Sequence, residues 1–362
     1  MPNSIQTIQV RTSPAYEVRI GGGLLRSCGA YLWDLLGNCH MAVIADSTVA
    51  ALYLDTVTAS LRDAGFTVSS YVFPAGETRK NFKTLSAILE FLAEEQLTRT
   101  DCVAALGGGV CGDMAGLAAA LYLRGVRYVQ LPTTLLAAVD SSVGGKTAID
   151  LAAGKNLAGA FLQPAAVLCD TDCLKTLPPE VFADGAAEAI KTAVLSDASL
   201  FNCMEDGGFR FLEPAPVIAA CIQYKAGVVE RDEKEQGERK LLNLGHTIGH
   251  AIEKCSGYTI PHGHAVAAGL AIMTRASEKL GWMSEYAVKC HDGGRICSAL
   301  EALGLPVFTG FSAEELAEAA LSDKKRAGNT ITIVVPREIG ACELKKVSIT
   351  DLLPIIRAGL EG

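Results

Sequence analysis

Four of the chain's six histidines lie within residues 241–269. His246 and His250 are four residues apart in a segment with helical period, so both project from one helix face and could share a metal ion. No glutamate follows the first of them, as it does in zinc proteases, and a polar helix face is the alternative explanation. His262 adds a third imidazole, and Glu188 adds a carboxylate from the apolar stretch GAAEAIKTAV. Two histidines and a glutamate would suit zinc acting as a Lewis acid on substrate oxygens.

Basic residues beside small residues form a second group of candidates. These residues are Lys146, Lys155 with Asn156, Lys191, Lys225, Arg239 and the run Lys324-Lys325-Arg326. Each of them taken singly could be a solvated surface charge. A lysine among small apolar residues, as in GGKTAI or AIKTAV, is costly unless it meets an anion. If three or four converge, they would bind a substrate with phosphate and carboxylate groups through charge-assisted hydrogen bonds worth roughly 1.5–3 kcal/mol each.

A glycine-rich turn could bind a dinucleotide. The stretch DCVAALGGGVCGDMAG places Gly107, Gly109 and Gly112 in G-x-G-x-x-G register, after an apolar strand and before a helix. Such glycines let the backbone approach a pyrophosphate, and the helix N-terminus offers unpaired N–H groups. The acidic residue usually found about 20 positions further on is absent. Asp46 and Glu77, which lie upstream, are the acidic candidates for a ribose, and a tight structural turn remains the alternative.

The elements that must position these residues fall into two patterns. Short apolar runs predict strands within 4–20 (a pair) and at 41–46, 68–76, 101–109, 127–134 and 165–170. Helical patterns lie among them at about 47–65, 80–97 and 112–122, which favours a β/α/β sheet with parallel pairing.

The pattern changes near residue 176. Beyond it, helices are predicted near 185–196, 213–232, 241–256, 262–281 and 286–303, with a late hairpin at 329–336 and 341–347. Pro178-Pro179 is the best boundary signal. We therefore expect an α/β nucleotide-binding domain at 1–177 and a mainly helical metal- and substrate-binding domain at 178–362.

Composition narrows the function classes. With 49% hydrophobic and 20% charged residues, the chain is typical of a globular enzyme. A net charge of −8 argues against a nucleic-acid surface, which needs a basic face. Twelve cysteines without any C-x-x-C predict neither a zinc ribbon nor a disulfide framework. The start lacks signal-peptide features and no run reaches roughly 18 apolar residues, so we expect a cytoplasmic protein without a membrane span.

An ordered series of motifs resembles the 3-dehydroquinate synthase family of sugar-phosphate cyclases. The series runs through most of the chain, as PAGETRKN, GGGVCGDMAG, YLRGVRYVQLPTTLLAAVDSSVGGKTAID, GKNLAGAF, AAEAIK, RDEKEQGERKLLNLGHTIGHAIE, HGHAVAAG and DKKRAG. The resemblance implies a Rossmann-like N-terminal domain and a mainly α-helical C-terminal domain. It also implies conversion of 3-deoxy-D-arabino-heptulosonate 7-phosphate to 3-dehydroquinate and phosphate, in the shikimate pathway. The steps would be transient oxidation by NAD, phosphate elimination, re-reduction, ring opening and aldol cyclisation.

The resemblance also implies site residues. The ligands of zinc, or of cobalt in its place, would be Glu188, His246 and His262. The NAD site would use Asp46, Glu77, Lys80, Gly108, Gly109, Asp113, Thr133, Thr134, Lys146 and Lys155. The substrate would meet Asp140, Lys146, Asn156, Lys191, Lys225, Arg239, Asn243, His250 and one lysine of the Lys324-Lys325 pair, for which we choose Lys325.

Three positions carry further implications. In the family, Arg124 approaches the phosphate from the neighbouring subunit, which implies a homodimer. Thr48 stands where relatives often have asparagine, beside the expected adenosine contacts. His264 stands where many relatives carry glutamate, which leaves its role open.

Three rival functions are weighed against this one. A metal-dependent polyol dehydrogenase shares the two-domain plan, the glycine turn and a histidine metal site, but does not need lysines around a phosphate. A sister cyclase that forms valiolone- or inosose-type rings acts on substrates without a carboxylate, so it gives no reason for Lys225 and Arg239 together. A catalytically inactive binding protein would not need the complete set of ligands.

Overall fold

The computed structural model describes residues 5–205, 213–321, 326–327 and 329–361. The chain divides into two units, Met1–Leu177 and Pro178–Gly362. No helix among these described residues is both long enough and apolar enough to cross a membrane.

The described part of the first unit contains nine strands and five helices. The strands are β1 Gln6–Val10, β2 Tyr16–Gly21, β3 His40–Asp46, β4 Thr67–Phe73, β5 Cys102–Gly107, β6 Arg127–Pro132, β7 Lys146–Leu151, β8 Gly154–Phe161 and β9 Ala166–Asp170. The helices are α1 Leu24–Leu36, α2 Ser47–Val49, α3 Asp55–Asp63, α4 Phe82–Glu94 and α5 Gly109–Leu121, with a π-helical segment at Ala50–Leu54. The predicted strands and helices of this unit are confirmed, whereas α1, β7 and β8 were not predicted.

Seven strands form one sheet in the order β1-β2-β9-β6-β5-β3-β4. β1 pairs with β2 in antiparallel fashion, and all other pairs are parallel, as the alternation of strands and helices predicted. Residues of β3 pack alternately into two cores on opposite sheet faces, Met41 and Val43 into one and Ala42 and Ile44 into the other. Both faces are therefore covered in the middle of the sheet, which explains why β3, β5, β6 and β9 are continuous apolar runs.

The strand order reverses between β3 and β5. From β3 the chain proceeds outward to β4, but β5 lies on the other side of β3 and is followed by β6 and then β9 toward the opposite edge. In open parallel sheets, ligands bind beyond the carboxyl ends of the strands at such a reversal. The glycine turn that follows β5 lies at this point.

The hairpin of β7 and β8 lies outside the main sheet. It is antiparallel, with Lys146 opposite Phe161. Thr147 and Ile149 point inward and are buried, while Leu157 and Phe161 are exposed. The sequence analysis missed it because glycine, lysine and asparagine interrupt the apolar alternation that marks a strand.

The described part of the second unit contains nine helices and three strands. The helices are α6 Pro179–Ser196, α7 Ala198–Met204, α8 Pro214–Arg231, α9 His246–Cys255, α10 His262–Lys279, α11 Glu285–Lys289, α12 Asp292–Ala302, α13 Ala313–Leu321 and α14 Ile349–Leu360. The strands are β10 Arg326–Ala327, β11 Thr330–Glu338 and β12 Ala341–Ser348, in one antiparallel sheet.

Two of the helix predictions for this unit are corrected by the structure. The predicted helix 286–303 is two helices, α11 and α12, because the backbone at His291 is left-handed with φ of 57°. The predicted helix 241–256 begins only at His246, since Gly245 adopts φ of 76° and a 3₁₀ turn, Glu238–Asn243, precedes it. Helices α7, α13 and α14 and strand β10 were not predicted. The predicted late hairpin is confirmed as β11 and β12.

Helix α10 is the centre of the second unit and packs against α6, α9, α12 and α14. Its contact with α9 is unusually close. A Cβ at Gly269 would lie 2.2 Å from the carbonyl oxygen of Gly245, so only glycine allows the two backbones to meet here. This contact fixes the distance between the histidines of α9 and that of α10.

Candidate active site

Three helices bring the predicted metal ligands together in the second unit. Glu188 lies on α6, His246 begins α9 and His262 begins α10. One potential ligand atom from each lies within 4.8 Å of the others. Oε1 of Glu188 is 3.6 Å from Nε2 of His246 and 3.1 Å from Nε2 of His262. The predicted trio therefore forms one cluster, with Glu188 fully buried.

The two imidazole rings present the same nitrogen to that carboxylate. Nδ1 of His246 lies 3.0 Å from the carbonyl oxygen of Leu244, which can only accept a hydrogen bond. Nδ1 of His262 lies 3.2 Å from Oε2 of Glu253. Both Nδ1 atoms therefore donate, which leaves each Nε2 lone pair for a metal in the neutral tautomer. A tetrahedral zinc with bonds of about 2.0–2.1 Å holds its ligand atoms roughly 3.3 Å apart, so the donor set and its spacing fit a divalent ion.

A tight contact between α6 and α10 contributes to this geometry. A Cβ at Gly263 would lie 1.9 Å from the carbonyl oxygen of Asp184, so glycine lets the start of α10 rest on α6. Asp184 precedes Glu188 by one helical turn, and its Oδ1 accepts a hydrogen bond of 3.0 Å from the backbone N–H of His264. The same helix thus supplies one ligand and anchors the helix that supplies another.

Lys191 contacts the second oxygen of the buried carboxylate. Its Nζ lies 2.5 Å from Oε2 of Glu188, one turn earlier on α6, and its side chain is 2% exposed. Removing either partner of such a buried charge pair strongly destabilises the fold, because the other charge is left buried and uncompensated. Lys191 was predicted to meet the substrate, and in this structure it holds Glu188.

The protonation of His262 is shifted by the same neighbours. Burial lowers the pKa of the imidazole, but hydrogen bonds to Glu188 and Glu253 outweigh it and raise the pKa of His262 to about 10. A metal ion must therefore compete with a proton for this ring, as is usual where histidine is a ligand.

The other two histidines of the cluster region differ in their surroundings. The ring of His250 lies 5.4 Å from that of His246 and 6.0 Å from that of His262, measured between centroids. It is close to the cluster, as expected for one helical turn after His246. His264 pairs instead with Asp184, through Nδ1 at 3.1 Å.

The remaining basic candidates of this unit are buried. Lys225 on α8 is 8% exposed and Arg239 is 1% exposed. Arg239 donates to the carbonyl oxygen of Glu233, and Nδ2 of Asn243 donates to Oε1 of Glu235 at 2.7 Å. Helix α8 and the turn Glu238–Asn243 both contact α6, which carries Glu188 and Lys191. Lys324 and the preferred Lys325 lie outside the described residues.

The glycine turn of the first unit has the features of a nucleotide site. Helix α5 starts at Gly109, and no side chain caps its first N–H groups. A Cβ at Gly108 would lie 3.0 Å from Cγ2 of Thr134, so a larger residue would be in tight contact with that side chain. The backbone N–H of Thr133 donates to the carbonyl of Gly107 at 3.0 Å, and its buried hydroxyl has no hydrogen-bond partner among the described residues. A polar ligand at this turn would satisfy these groups.

Four predicted residues occupy the carboxyl ends of adjacent strands. Thr133 follows β6, Gly108 follows β5, Asp46 ends β3 and Glu77 comes shortly after β4, in the order in which the strands pair. Oδ1 of Asp46 accepts hydrogen bonds from the backbone N–H groups of Thr48 at 2.9 Å and Val49 at 3.1 Å. Thr48 therefore contacts Asp46 through its backbone, which any residue can supply.

A charged cluster lies beside α5. Nζ of Lys80 is 2.5 Å from Oδ2 of Asp113 and 2.5 Å from Oδ1 of Asn156. Nζ of Lys155 is 3.3 Å from Oε1 of Glu77. Burial lowers the pKa of Lys80, but the charges of Asp113 and Glu77 outweigh it and raise its pKa above the ordinary value. Lys80 therefore stays cationic at neutral pH, and five predicted NAD or substrate residues meet here.

Three further predicted residues of this unit lie on other elements. Arg124 is exposed in a left-handed turn with φ of 68°. Asp140 is half-buried in a π-helical segment, Ala137–Ser141, and Lys146 is exposed at the start of β7.

Two residues that the sequence analysis did not single out contact predicted ones. Glu253 hydrogen bonds to His262, and its position seven residues after His246 on one helix was a signal that could have been read. Oδ1 of Asp150 accepts from the backbone N–H of Asn156 at 2.8 Å and holds that residue in a left-handed conformation, with φ of 54°.

Comparisons with known proteins show the family to which the chain belongs. The chain matches the family model described as 3-dehydroquinate synthase N-terminal over residues 70–184 and that described as 3-dehydroquinate synthase C-terminal over residues 185–326. A 3-dehydroquinate synthase of Neisseria meningitidis serogroup A is 45% identical over 357 residues, 96% of this chain and 98% of the relative.

Two solved structures are similar over nearly the whole chain. A 2-deoxy-scyllo-inosose synthase complexed with carbaglucose-6-phosphate, NAD+ and Co2+ has a TM-score of 0.85 and 25% identity, covering 99% of this chain and 100% of that one. A 2-epi-5-epi-valiolone synthase from Streptomyces hygroscopicus subsp. jinggangensis, with NAD+ and Zn2+ bound, has a TM-score of 0.85 and 27% identity, covering 96% and 97%.

Proposed function

Because the chain belongs to the 3-dehydroquinate synthase family, we propose that it converts 3-deoxy-D-arabino-heptulosonate 7-phosphate to 3-dehydroquinate and phosphate, with NAD and a divalent metal ion as cofactors. The observation that carries the proposal is the cluster of Glu188, His246 and His262 in the same unit as buried basic residues. When bound, the metal supplies a Lewis acid for substrate hydroxyls and NAD supplies a hydride acceptor that is regenerated in each turnover.

In metal binding, neighbouring groups of the chain would orient the ligand side chains. The carbonyl of Leu244 and the carboxylate of Glu253 hold the Nδ1–H groups of the two histidine ligands, so that Nε2 of each is presented to the ion. Lys191 neutralises the far oxygen of Glu188 and keeps its other oxygen directed at the histidines. Zinc fits this donor set, and cobalt is an alternative with the same ligand preferences.

NAD would be held by the first unit. The uncapped N-terminus of α5 offers N–H groups to the pyrophosphate, Gly108 and Gly109 allow the close approach, and the hydroxyl of Thr133 gains a partner. Asp46 and Glu77 are proposed to meet a ribose, and Lys80, Asp113, Thr134, Lys146 and Lys155 complete the proposed set.

The substrate would be held by cations. Lys225 and Arg239 are proposed to bind the carboxylate. The remaining charged and polar groups of the substrate are proposed to be bound by Lys191, Lys146 and Lys325, the preferred lysine of the undescribed pair. Asp140, Asn156, Asn243 and His250 are proposed to hydrogen bond to it. Lys191 and Arg239 are buried and therefore poorly hydrated. Because water competes little for their N–H groups, their charge-assisted hydrogen bonds to a substrate anion would be strong. Elimination of phosphate also requires a base for the proton on the carbon next to the transient ketone. We propose that an oxygen of the phosphate itself takes this proton, so that the protein has only to hold the leaving anion in place.

This function is favoured over that of a sister cyclase. The chain is 45% identical to a 3-dehydroquinate synthase, but 25% and 27% identical to the inosose and valiolone synthases with the same fold. The buried positions of Lys225 and Arg239 support a substrate carboxylate, which those ring-forming reactions do not use.

A phosphate-release assay tests the proposal. With NAD and zinc, we expect the purified protein to release phosphate from 3-deoxy-D-arabino-heptulosonate 7-phosphate without lasting NADH absorbance, and one 3-dehydroquinate should form for each phosphate. Sedoheptulose 7-phosphate, which lacks the carboxylate, should be a far poorer substrate. A preference for sedoheptulose 7-phosphate would identify a sister cyclase, and accumulation of NADH with a simple polyol would identify a dehydrogenase.

We further propose that the protein acts as a homodimer in which Arg124 reaches the partner's site. Leu123 and Arg124 both have left-handed backbones, with φ of 50° and 68°, and such strain costs about 1–2 kcal/mol per residue. Leu121, Leu123 and Phe161 are 50%, 39% and 47% exposed, which gives apolar area for a second copy to cover.

Subunit mixing tests the dimer. Arg124→Ala and His246→Ala should each be inactive alone, because each lacks one necessary group. After subunit exchange, mixed dimers contain one complete site, so roughly a quarter of the wild-type activity should return. No recovery, with mixed dimers demonstrated by mass spectrometry, would mean that Arg124 serves its own subunit.

A further inference from the structure

Glu253 is a buried carboxylate in the second unit. It lies on α9, seven residues after His246 and three after His250, so all three project from the same side of the helix. The residue is 1% exposed. Burying an ionised carboxylate costs several kcal/mol unless it is paired or hydrogen bonded. A functional reason for its presence is therefore worth seeking.

The contact that Glu253 makes with His262 engages the nitrogen that faces away from the proposed metal position. Its Oε2 lies 3.2 Å from Nδ1, while Nε2 of the same ring lies 3.1 Å from Oε1 of Glu188. A carboxylate accepts, so Glu253 holds the Nδ1–H of this ring. With that proton held at Nδ1, Nε2 is the nitrogen that would give up its proton to a metal at the position shared with Glu188 and His246.

The two histidines of the cluster are held by different means. Nδ1 of His246 is bound by the backbone carbonyl of Leu244, which is present whatever the side chain. His262 is the first residue of α10, its side chain is 30% exposed, and the partner of its Nδ1 is a side chain. The orientation of His262 therefore depends on the identity of residue 253.

We propose that Glu253 is a positioning residue, which fixes the tautomer and the orientation of His262 so that its Nε2 can bind the metal. This inference rests on the metal proposed for the site and is independent of the substrate. Carboxylates that hold a ligand histidine in this way also make the ring a better donor, and their loss typically lowers metal affinity by roughly 10- to 100-fold.

A competing arrangement uses the same residues. His250, Glu253 and His262 also offer ligand atoms within 4.8 Å of one another. In that set the metal would bind Nδ1 of His262, and Glu253 would be a ligand. Nε2 of His262 would then be protonated and would donate a hydrogen bond to Glu188. The set with Glu188 is favoured because both histidines in it present Nε2 to one oxygen while both Nδ1 atoms are already engaged.

The experiment measures zinc affinity of the metal-free full-length protein by competition with a chromophoric chelator. Glu253→Gln keeps the size of the side chain, but its amide can donate as well as accept, so either tautomer of His262 is tolerated. We expect affinity to fall roughly tenfold in Glu253→Gln and up to roughly 100-fold in Glu253→Ala. The melting temperature of the metal-free Glu253→Gln protein should stay near that of the wild type. Glu301→Gln, an exposed change on α12, is the matched control.

Nitrogen NMR of the zinc-loaded protein supplies a readout that a merely structural role would not move. In the wild type, His262 should be protonated at Nδ1 and metal-bound at Nε2, and Glu253→Gln should shift or broaden the Nδ1–H signal of His262 while leaving that of His246 in place. Zinc affinity within twofold of the wild type in Glu253→Gln, with an unaltered Nδ1–H signal, would overturn the inference.

Two further variants separate failure of this inference from failure of the proposed metal site. His246→Ala should lose zinc binding, and His250→Ala should retain it. If His250→Ala loses zinc as completely as Glu253→Ala while His246→Ala retains it, Glu253 is a ligand and the inference is wrong. If none of these variants alters zinc binding, the proposed metal site itself is wrong.

Discussion

His246→Ala is expected to remove metal binding and catalysis together. The variant removes the imidazole ring whose Nε2 lies 3.6 Å from Oε1 of Glu188, so only Glu188 and His262 remain as ligands of the proposed metal ion. A Lewis acid supplies several kcal/mol of transition-state stabilisation, so kcat/KM should fall by about a thousandfold or more. Metal content by mass spectrometry and phosphate release should both be measured, after dialysis against zinc.

The control for this variant is His40→Ala. His40 lies at the start of β3 in the first unit and hydrogen bonds to Ser69, far along the chain from any proposed ligand. It should keep its zinc and its activity. Full zinc content in His246→Ala with normal phosphate release would contradict the ligand assignment.

Lys225→Ala is expected to weaken substrate binding while sparing both cofactors. Lys225 is 8% exposed on α8, so little water is available to replace it beside a bound carboxylate. Loss of one charge-assisted hydrogen bond of roughly 1.5–3 kcal/mol corresponds to a rise in KM of roughly 10- to 100-fold. Zinc content and NAD affinity should equal those of the wild type, and Lys289→Ala, an exposed lysine at the end of α11, should behave as the wild type.

A split between substrates sharpens this test. If Lys225 binds the carboxylate, the variant should lose most of its preference for 3-deoxy-D-arabino-heptulosonate 7-phosphate over sedoheptulose 7-phosphate, which has no carboxylate. An unaltered KM, or equal losses on both substrates, would show that Lys225 serves another purpose and would leave Arg239 as the candidate.

Local patterns in the sequence were sufficient for much of the fold. The central strands β3, β5, β6 and β9 are short apolar runs, because both faces of the sheet are covered there and no solvent face interrupts the run. The i,i+4 spacing of His246 and His250 likewise fixed their shared helix face. Signals of this kind lie within a window of a few residues, so they can be recognised in the sequence without any knowledge of how the elements pack. The hairpin β7 and β8 was missed because glycine, lysine and asparagine interrupt its apolar alternation.

Only tertiary structure decided how the site is assembled. His262 and Glu188 are 74 residues apart in the chain, and their 3.1 Å contact exists because glycines at 263 and 269 let α10 rest on α6 and α9. The same packing placed Glu253 against Nδ1 of His262, whereas Lys191 meets Glu188 within one turn of α6. Residue types and spacing indicated candidate ligands, and the family resemblance implied the set Glu188, His246 and His262. The partner that orients His262 depends on the distance between α9 and α10, which no local window contains.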